Sequence, residues 1–215
     1  MRLALLAFAV LAFAVGCGNG DDEPADPTAT ATGECASVEA PEPRDPGSSE
    51  APSAPLEDGR THTLTFDTSC GSFTMTLDTE LAPNTAASLV ALAEDGYFDD
   101  TIFHRVVPDF VIQGGDPTQS GAGGPGYSTV DAPPPDAAYQ VGTVAMGKTE
   151  TEAPGTAGSQ FFVVSGTGYG LTPDYAIVGE VTEGMDTVER IDALGVGNGP
   201  PSRTVLVEAV TVGKS

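Results

Sequence analysis

The chain has 215 residues, 40% of them hydrophobic, with 27 glycines, 18 prolines and no tryptophan. That length suits one domain with an appendage, and the Gly and Pro content suits a turn-rich β protein better than a helical bundle. With 8 Lys and Arg against 31 Asp and Glu, a net charge of −23, the balance argues against nucleic acid or anionic membrane surfaces as partners, because phosphate binding needs clustered cations.

Met1 and Arg2 precede an apolar run of 13 residues, Leu3 to Val15. A helix that spans a bilayer needs about 20, so the charged start, short apolar stretch and small residues that follow predict an export signal over residues 1–16. Ala14-Val15-Gly16-Cys17 resembles a bacterial lipobox, with Ala14 where Leu is usual. The resemblance implies that Cys17 is lipidated, becomes the N-terminus, and anchors the protein on the outer side of the cytoplasmic membrane. Ordinary cleavage after Ala14 is the alternative and would leave a secreted protein.

Residues 17–60 are rich in Pro, Ala, Glu and Ser and poor in large apolar side chains. Such a segment cannot bury enough surface to offset its ordering entropy, which predicts a disordered acidic tether. Cys35 lies within it. If Cys17 carries lipid, Cys35 and Cys70 are the two thiols left in an oxidising compartment. A Cys35–Cys70 disulfide is then expected, with two unpaired thiols as the alternative.

The folded domain is predicted over residues 61–215. "HTLTFDT" and "SFTMTLD" alternate apolar and polar residues around Ser69-Cys70-Gly71 and read as a β-hairpin. In "NTAASLVALAEDG", Ala86, Leu89, Val90 and Ala93 recur at helical spacing, Asn84 or Thr85 can cap, and Gly96 terminates. "TIFHRVV" and "FVIQGG" read as strands broken at Pro108-Asp109, and the glycine-rich stretch to Ser128 has no period. "QVGTVAM", "SQFFVVS", "YAIVGEV" and "RTVLVEAVTV" read as further strands, with a second helix over "GMDTVERIDAL". Eight strands and two helices without βαβ alternation predict a mainly β protein, a closed antiparallel barrel capped by the helices.

Several chemistries are poorly supplied. "GTVAMGKT" (142–149) fits the phosphate-loop pattern, but its inner residues favour a strand and Pro154-Gly155 oppose the helix that must follow. His62 and His104 are the only histidines, so a metal site is not expected, and no cofactor is implied. No serine sits in a nucleophile elbow.

"FHRVVPDFVIQGGD" (103–116), followed by "GTVAM" and "GSQFFVV" (158–164), resembles the cyclophilin family of peptidyl-prolyl cis-trans isomerases over residues 61–213. The resemblance implies an eight-stranded barrel, isomerisation of X–Pro bonds during protein folding, proline-containing polypeptides as partners, and a monomer. It assigns the catalytic role to Arg105 and the proline pocket to Phe110, Val111, Phe162 and Leu171. Gln113 would orient the arginine or the substrate backbone, and Gln160 would line the same groove. His104 and Tyr175 map to the rim, and Phe161 to the core. Departures cluster around the pocket: Val111 stands where Met is common and Tyr175 where His is. Lys148 puts a charge on the groove that recognises residues preceding the proline. A bare structural ion pair is the competing account of Arg105. A binding module without catalysis, holding proline-containing segments of exported proteins, is the competing account of the whole domain.

Overall fold

The computed structural model describes residues 33–57, 59–167 and 170–215. The expected signal over 1–16, Cys17 and the first part of the expected tether lie outside these.

His62–Thr68 (β1) and Gly71–Leu77 (β2) form the first hairpin. Their alternation puts Leu64, Phe66, Phe73 and Met75 inside, where Phe66 stacks on its cross-strand partner Phe73 at 5.0 Å. On the other face Thr65 and Thr74 hydrogen-bond at 2.9 Å. Such directly opposed pairs are the unit of sheet stabilisation.

The first helix, α1, is Pro83–Glu94, and it buries Ala86, Leu89, Val90 and Ala93 against the sheet. Its cap differs from expectation. Neither Asn84 nor Thr85 occupies the N-cap; Ala82 does, without a side-chain bond. The free donors of the first turn instead reach Asp131, which accepts from Thr85 N at 2.7 Å, Thr85 Oγ1 at 2.6 Å and Asn84 Nδ2 at 2.8 Å. A carboxylate there also meets the positive end of the helix dipole.

The remaining elements are Thr101–Ile102 (β3), Arg105–Val107 (β4), Val111–Gly114 (β5), Thr129–Val130 (β6), Thr143–Met146 (β7), Thr156–Ala157 (β8), Phe161–Val164 (β9), Ile177–Glu183 (β10), Met185–Asp192 (α2) and Leu206–Lys214 (β11). The short pair β6–β8 was not predicted; it is too brief to show a period. The phosphate-loop match falls on β7, and a loop rather than a helix follows it.

The barrel expectation needs correction. Nine strands form one curled antiparallel sheet in the order β3-β11-β1-β2-β10-β7-β9-β5-β4, and its edges do not join. "TIFHRVV" makes both edges, because Phe103 and His104 interrupt it, so neighbours in sequence cannot pair with each other. The irregular segment before β11 fills the gap: Val106 N donates to Gly199 O at 2.8 Å and Phe103 N to Val205 O at 3.0 Å.

The tether boundary at residue 60 also needs correction. Cys35 and Cys70 are joined in a disulfide, and both are buried. Ala36 N donates to Ser69 O, Arg44 N to Pro117 O, Gly47 N to Gly124 O and Ser49 N to Pro125 O. The Arg44 guanidinium donates to Tyr97 O at 2.7 Å and Asp99 O at 2.8 Å. Residues 35–49 are therefore an extended strap on the domain, held by backbone bonds and a covalent link rather than by apolar burial.

Candidate active site

Strand register builds the site. Arg105 on β4 faces Gln113 on β5, Gln113 faces Phe162 on β9, Phe162 faces Ala145 on β7, and Ala145 faces Ile177 on β10. Opposed residues on adjacent strands point to one face. A second row, Val107, Val111 and Val164, lies beside it. The intervening positions, Val106, Ile112, Val163 and Val144, point inward and are fully buried in the main core. Phe161 packs there too, 5.0 Å from Phe66. These strands thus have two apolar faces, one for the core and one for a separate outer cluster of Val107, Val111, Ala145, Phe162 and Val164.

The hairpin turn that carries Arg105 and Phe110 is tightly held. Asp109 takes a left-handed φ of 56°. Its N–H donates to both carboxylate oxygens of Asp192 on α2, at 3.2 and 3.1 Å, and Ser165 Oγ donates to the same carboxylate at 2.6 Å.

On the outer face a cavity of about 240 Å³ is lined by Arg105, Phe110, Val111, Gln113, Gly147, Lys148, Phe162, Leu171 and Tyr175. Arg105 Nε donates to Asn198 Oδ1 at 2.7 Å and its Nη1 to Gln113 Oε1 at 3.0 Å. Both acceptors are neutral, and among the described residues no carboxylate pairs with Arg105, so the ion-pair account fails. Partial burial pulls the guanidinium below its ordinary pKa, opposed by Tyr175, yet it remains charged near neutrality. Gln113 Nε2 donates on to Gln160 Oε1 at 3.1 Å, and Gln160 Nε2 to Gly123 O at 3.0 Å. Arg105 is thereby linked through two amides to the glycine-rich loop.

That loop is folded around Asp116. Burial alone would raise its pKa, but hydrogen bonds from the Thr118 hydroxyl and from the Gly123, Thr118 and Gly121 amides outweigh it and hold the carboxyl below its ordinary range.

Lys148 stands 5.6 Å over the Tyr175 ring and donates to Thr149 O and Glu152 O, both at 3.2 Å. Phe162 and Tyr175 meet edge-on at 5.5 Å. Gln160 lies in an adjoining groove of about 540 Å³, which shares Gln113, Gly147 and Lys148 with the cavity. His104 does not reach either space. It is buried under the loop near Gly121, both ring nitrogens unpartnered; Gln160 lies beside it, but its Oε1 accepts from Gln113 Nε2 and its Nε2 donates to Gly123 O. Burial lowers the imidazole pKa, Asp116 opposes that and Arg105 adds to it.

Two contributors had no sequence signal. Asn198 orients Arg105 from a distant loop. Tyr139 fixes Tyr175, its hydroxyl donating to Tyr175 O at 2.7 Å and accepting from Tyr175 N at 3.1 Å. Among the described residues, no cluster of His, Cys, Asp or Glu could hold a metal.

Residues 63–212 match the family "Cyclophilin type peptidyl-prolyl cis-trans isomerase/CLD". Peptidyl-prolyl cis-trans isomerase-like 1 of Aspergillus fumigatus is 38% identical over 132 residues, covering 60% of this chain and 80% of that protein. Peptidyl-prolyl cis-trans isomerase A of Mycobacterium tuberculosis is 35% identical over 171 residues, covering 71% and 92%. The crystal structure of a cyclophilin-type isomerase from Cryptosporidium parvum superposes with a TM-score of 0.65 at 26% identity, covering 72% of this chain and 99% of that one. A second structure of it, in the presence of the dipeptide Ala-Pro, gives 0.64 at 27% identity, covering 71% and 99%. The curled sheet is that of a cyclophilin-type isomerase. The chain belongs to the cyclophilin-type peptidyl-prolyl cis-trans isomerase family, and it is an enzyme of that class.

Proposed function

We propose that Arg105 catalyses the rotation of X–Pro bonds held in the outer cavity, and that its clients are exported or envelope proteins. The amide barrier, roughly 18–20 kcal/mol, comes from delocalisation of the nitrogen lone pair into the carbonyl. Lowering it takes no nucleophile or metal. An apolar slot must hold the ring, and a donor must favour the twisted amide over the planar one. Phe110, Val111, Phe162 and Leu171 supply the slot. The observation that carries the reading is the guanidinium held beside that slot by Asn198 and Gln113, with Nη2 lacking a partner among the described residues. Its charge is permanent and its fork is pre-oriented, so little reorganisation is needed as the bond turns. The Ala-Pro dipeptide present with the Cryptosporidium relative supports a proline-containing ligand.

Export is supported by residues 1–16 and by the Cys35–Cys70 disulfide, since such links persist outside the cytoplasm. Lipid at Cys17 would anchor the enzyme at the cell envelope, on the outer side of the cytoplasmic membrane, as a monomer.

The test is a protease-coupled isomerisation assay. Removing a preorganised donor of this kind costs about 10²–10³ in rate, so Arg105→Ala should lose that much kcat/KM while circular dichroism stays unchanged. Turnover equal to that of the unaltered enzyme would refute the role.

A further inference from the structure

We propose that the strap is part of the substrate site: residues 44–49, which precede the isomerase fold, form one wall of the groove that holds the chain flanking the target proline. The inference rests on the cavity's being the proline site. Pro46 and Gly47 line the 540 Å³ groove together with Lys148 and Gln160, and that groove adjoins the proline cavity at Gln113, Gly147 and Lys148. A peptide with its proline in the smaller space must therefore lay its neighbouring residues along the larger one.

The strap is built to stay there. Prolines 41, 43 and 46 have no N–H, and the amides of Arg44, Gly47 and Ser49 all bond to Pro117, Gly124 and Pro125 of the glycine-rich loop. Gln119 Nε2 returns a bond to Pro41 O at 2.8 Å. The fit at Gly47 excludes a side chain: a Cβ would lie 2.9 Å from Tyr97 Cε2 and 3.1 Å from Pro125 Cα. Gly126, at φ +91°, is equally close on the loop side, where a Cβ would meet Gly47 O at 2.8 Å. Arg44 is a positioning residue, fastening the strap to the turn after α1. The loop is thus fixed from inside by Asp116 and from outside by the strap, and the groove that loop and strap both line has a set width.

The experiment compares Ala-Pro with a decapeptide bearing one central proline, following isomerisation by exchange NMR and binding by titration on the full chain. Arg44→Ala and Gly47→Val should raise KM and Kd for the decapeptide about fivefold or more, with kcat kept and Ala-Pro turnover unchanged, because one or two hydrogen bonds and the wall's position are lost. Arg44→Lys, whose ammonium can also donate to two carbonyls, should restore the decapeptide values. Decapeptide Kd unchanged in both Arg44→Ala and Gly47→Val overturns the proposal, as does an equal loss for Ala-Pro. Strap-dependent decapeptide binding alongside full turnover in Arg105→Ala would support the wall and refute only the catalytic role of Arg105.

Discussion

Gln113→Leu isolates how the arginine is held. The substitution keeps the side-chain volume but removes the acceptor of the 3.0 Å bond from Arg105 Nη1 and the donor of the 3.1 Å bond to Gln160. A hydrogen bond to a charged group is worth about 1.5–3 kcal/mol, and the half-buried position places this one at the lower end. If that energy serves mainly to hold the guanidinium in its productive rotamer, its loss lowers kcat/KM about tenfold, at 1.36 kcal/mol per decade. The orphaned Gln160 oxygen removes about 1 kcal/mol of stability, read from urea unfolding. The decisive measurement is the double variant. With Arg105 already replaced by Ala, Gln113→Leu has nothing left to orient and should change kcat/KM less than about twofold, because residues acting through one another are not additive. A full tenfold loss in that background would refute the idea that Gln113 works through Arg105.

Reduction of the Cys35–Cys70 link, which closes a separation of 35 residues, removes about 4 kcal/mol by loop-closure entropy. Thermal melting should fall by roughly 10 °C with dithiothreitol, and an unchanged midpoint would show that the link does not constrain the unfolded chain. His104 has a folded pKa below its ordinary value, mainly through burial, so it folds neutral. Its contribution is complete above pH about 6.5 and is lost as pH falls from there toward the folded value. His104→Phe should flatten the decline of unfolding free energy between pH 7 and 5; an unaltered slope would assign the decline elsewhere. Cys17→Ala should shift the protein from the membrane fraction to the soluble exported fraction with isomerase activity intact. An unmodified N-terminus at Val15, found by mass spectrometry of the unaltered chain, would refute lipidation.

What could be read in advance depended on how far each interaction reaches along the chain. The first hairpin and α1 were visible because one face is wet, so Leu64, Phe66, Leu89 and Val90 repeat with a clear period. On β5 and β9 both faces are covered, and "VIQG" and "FFVV" show no alternation. Motif resemblance, not periodicity, separated Phe162 from Phe161. Asn198 is 93 residues from the arginine it holds and sits in a loop with no pattern of its own. The cap on α1 is likewise remote, since Asp131 lies 46 residues beyond Thr85. The strap escaped for a different reason. Composition measures apolar burial, and this segment is retained by backbone amides, one guanidinium and one disulfide. Counting strands also misled the closure of the barrel, because an irregular stretch supplies the bonds at Val106 and Phe103 that a strand was expected to supply.

The interleaving of core and pocket on β4, β5, β7 and β9 has a consequence for how this enzyme can change. Val111, Gln113 and Phe162 can be varied without touching Ile112 or Val163, since neighbours along a strand answer to opposite sides of the sheet. Ligand preference and thermal robustness are therefore written in alternate letters of the same few words. A library randomised at every second position would explore new peptide preferences while leaving the inner core of the sheet unaltered. A single-residue insertion would be ruinous, because every downstream letter in that strand would then be read by the wrong side.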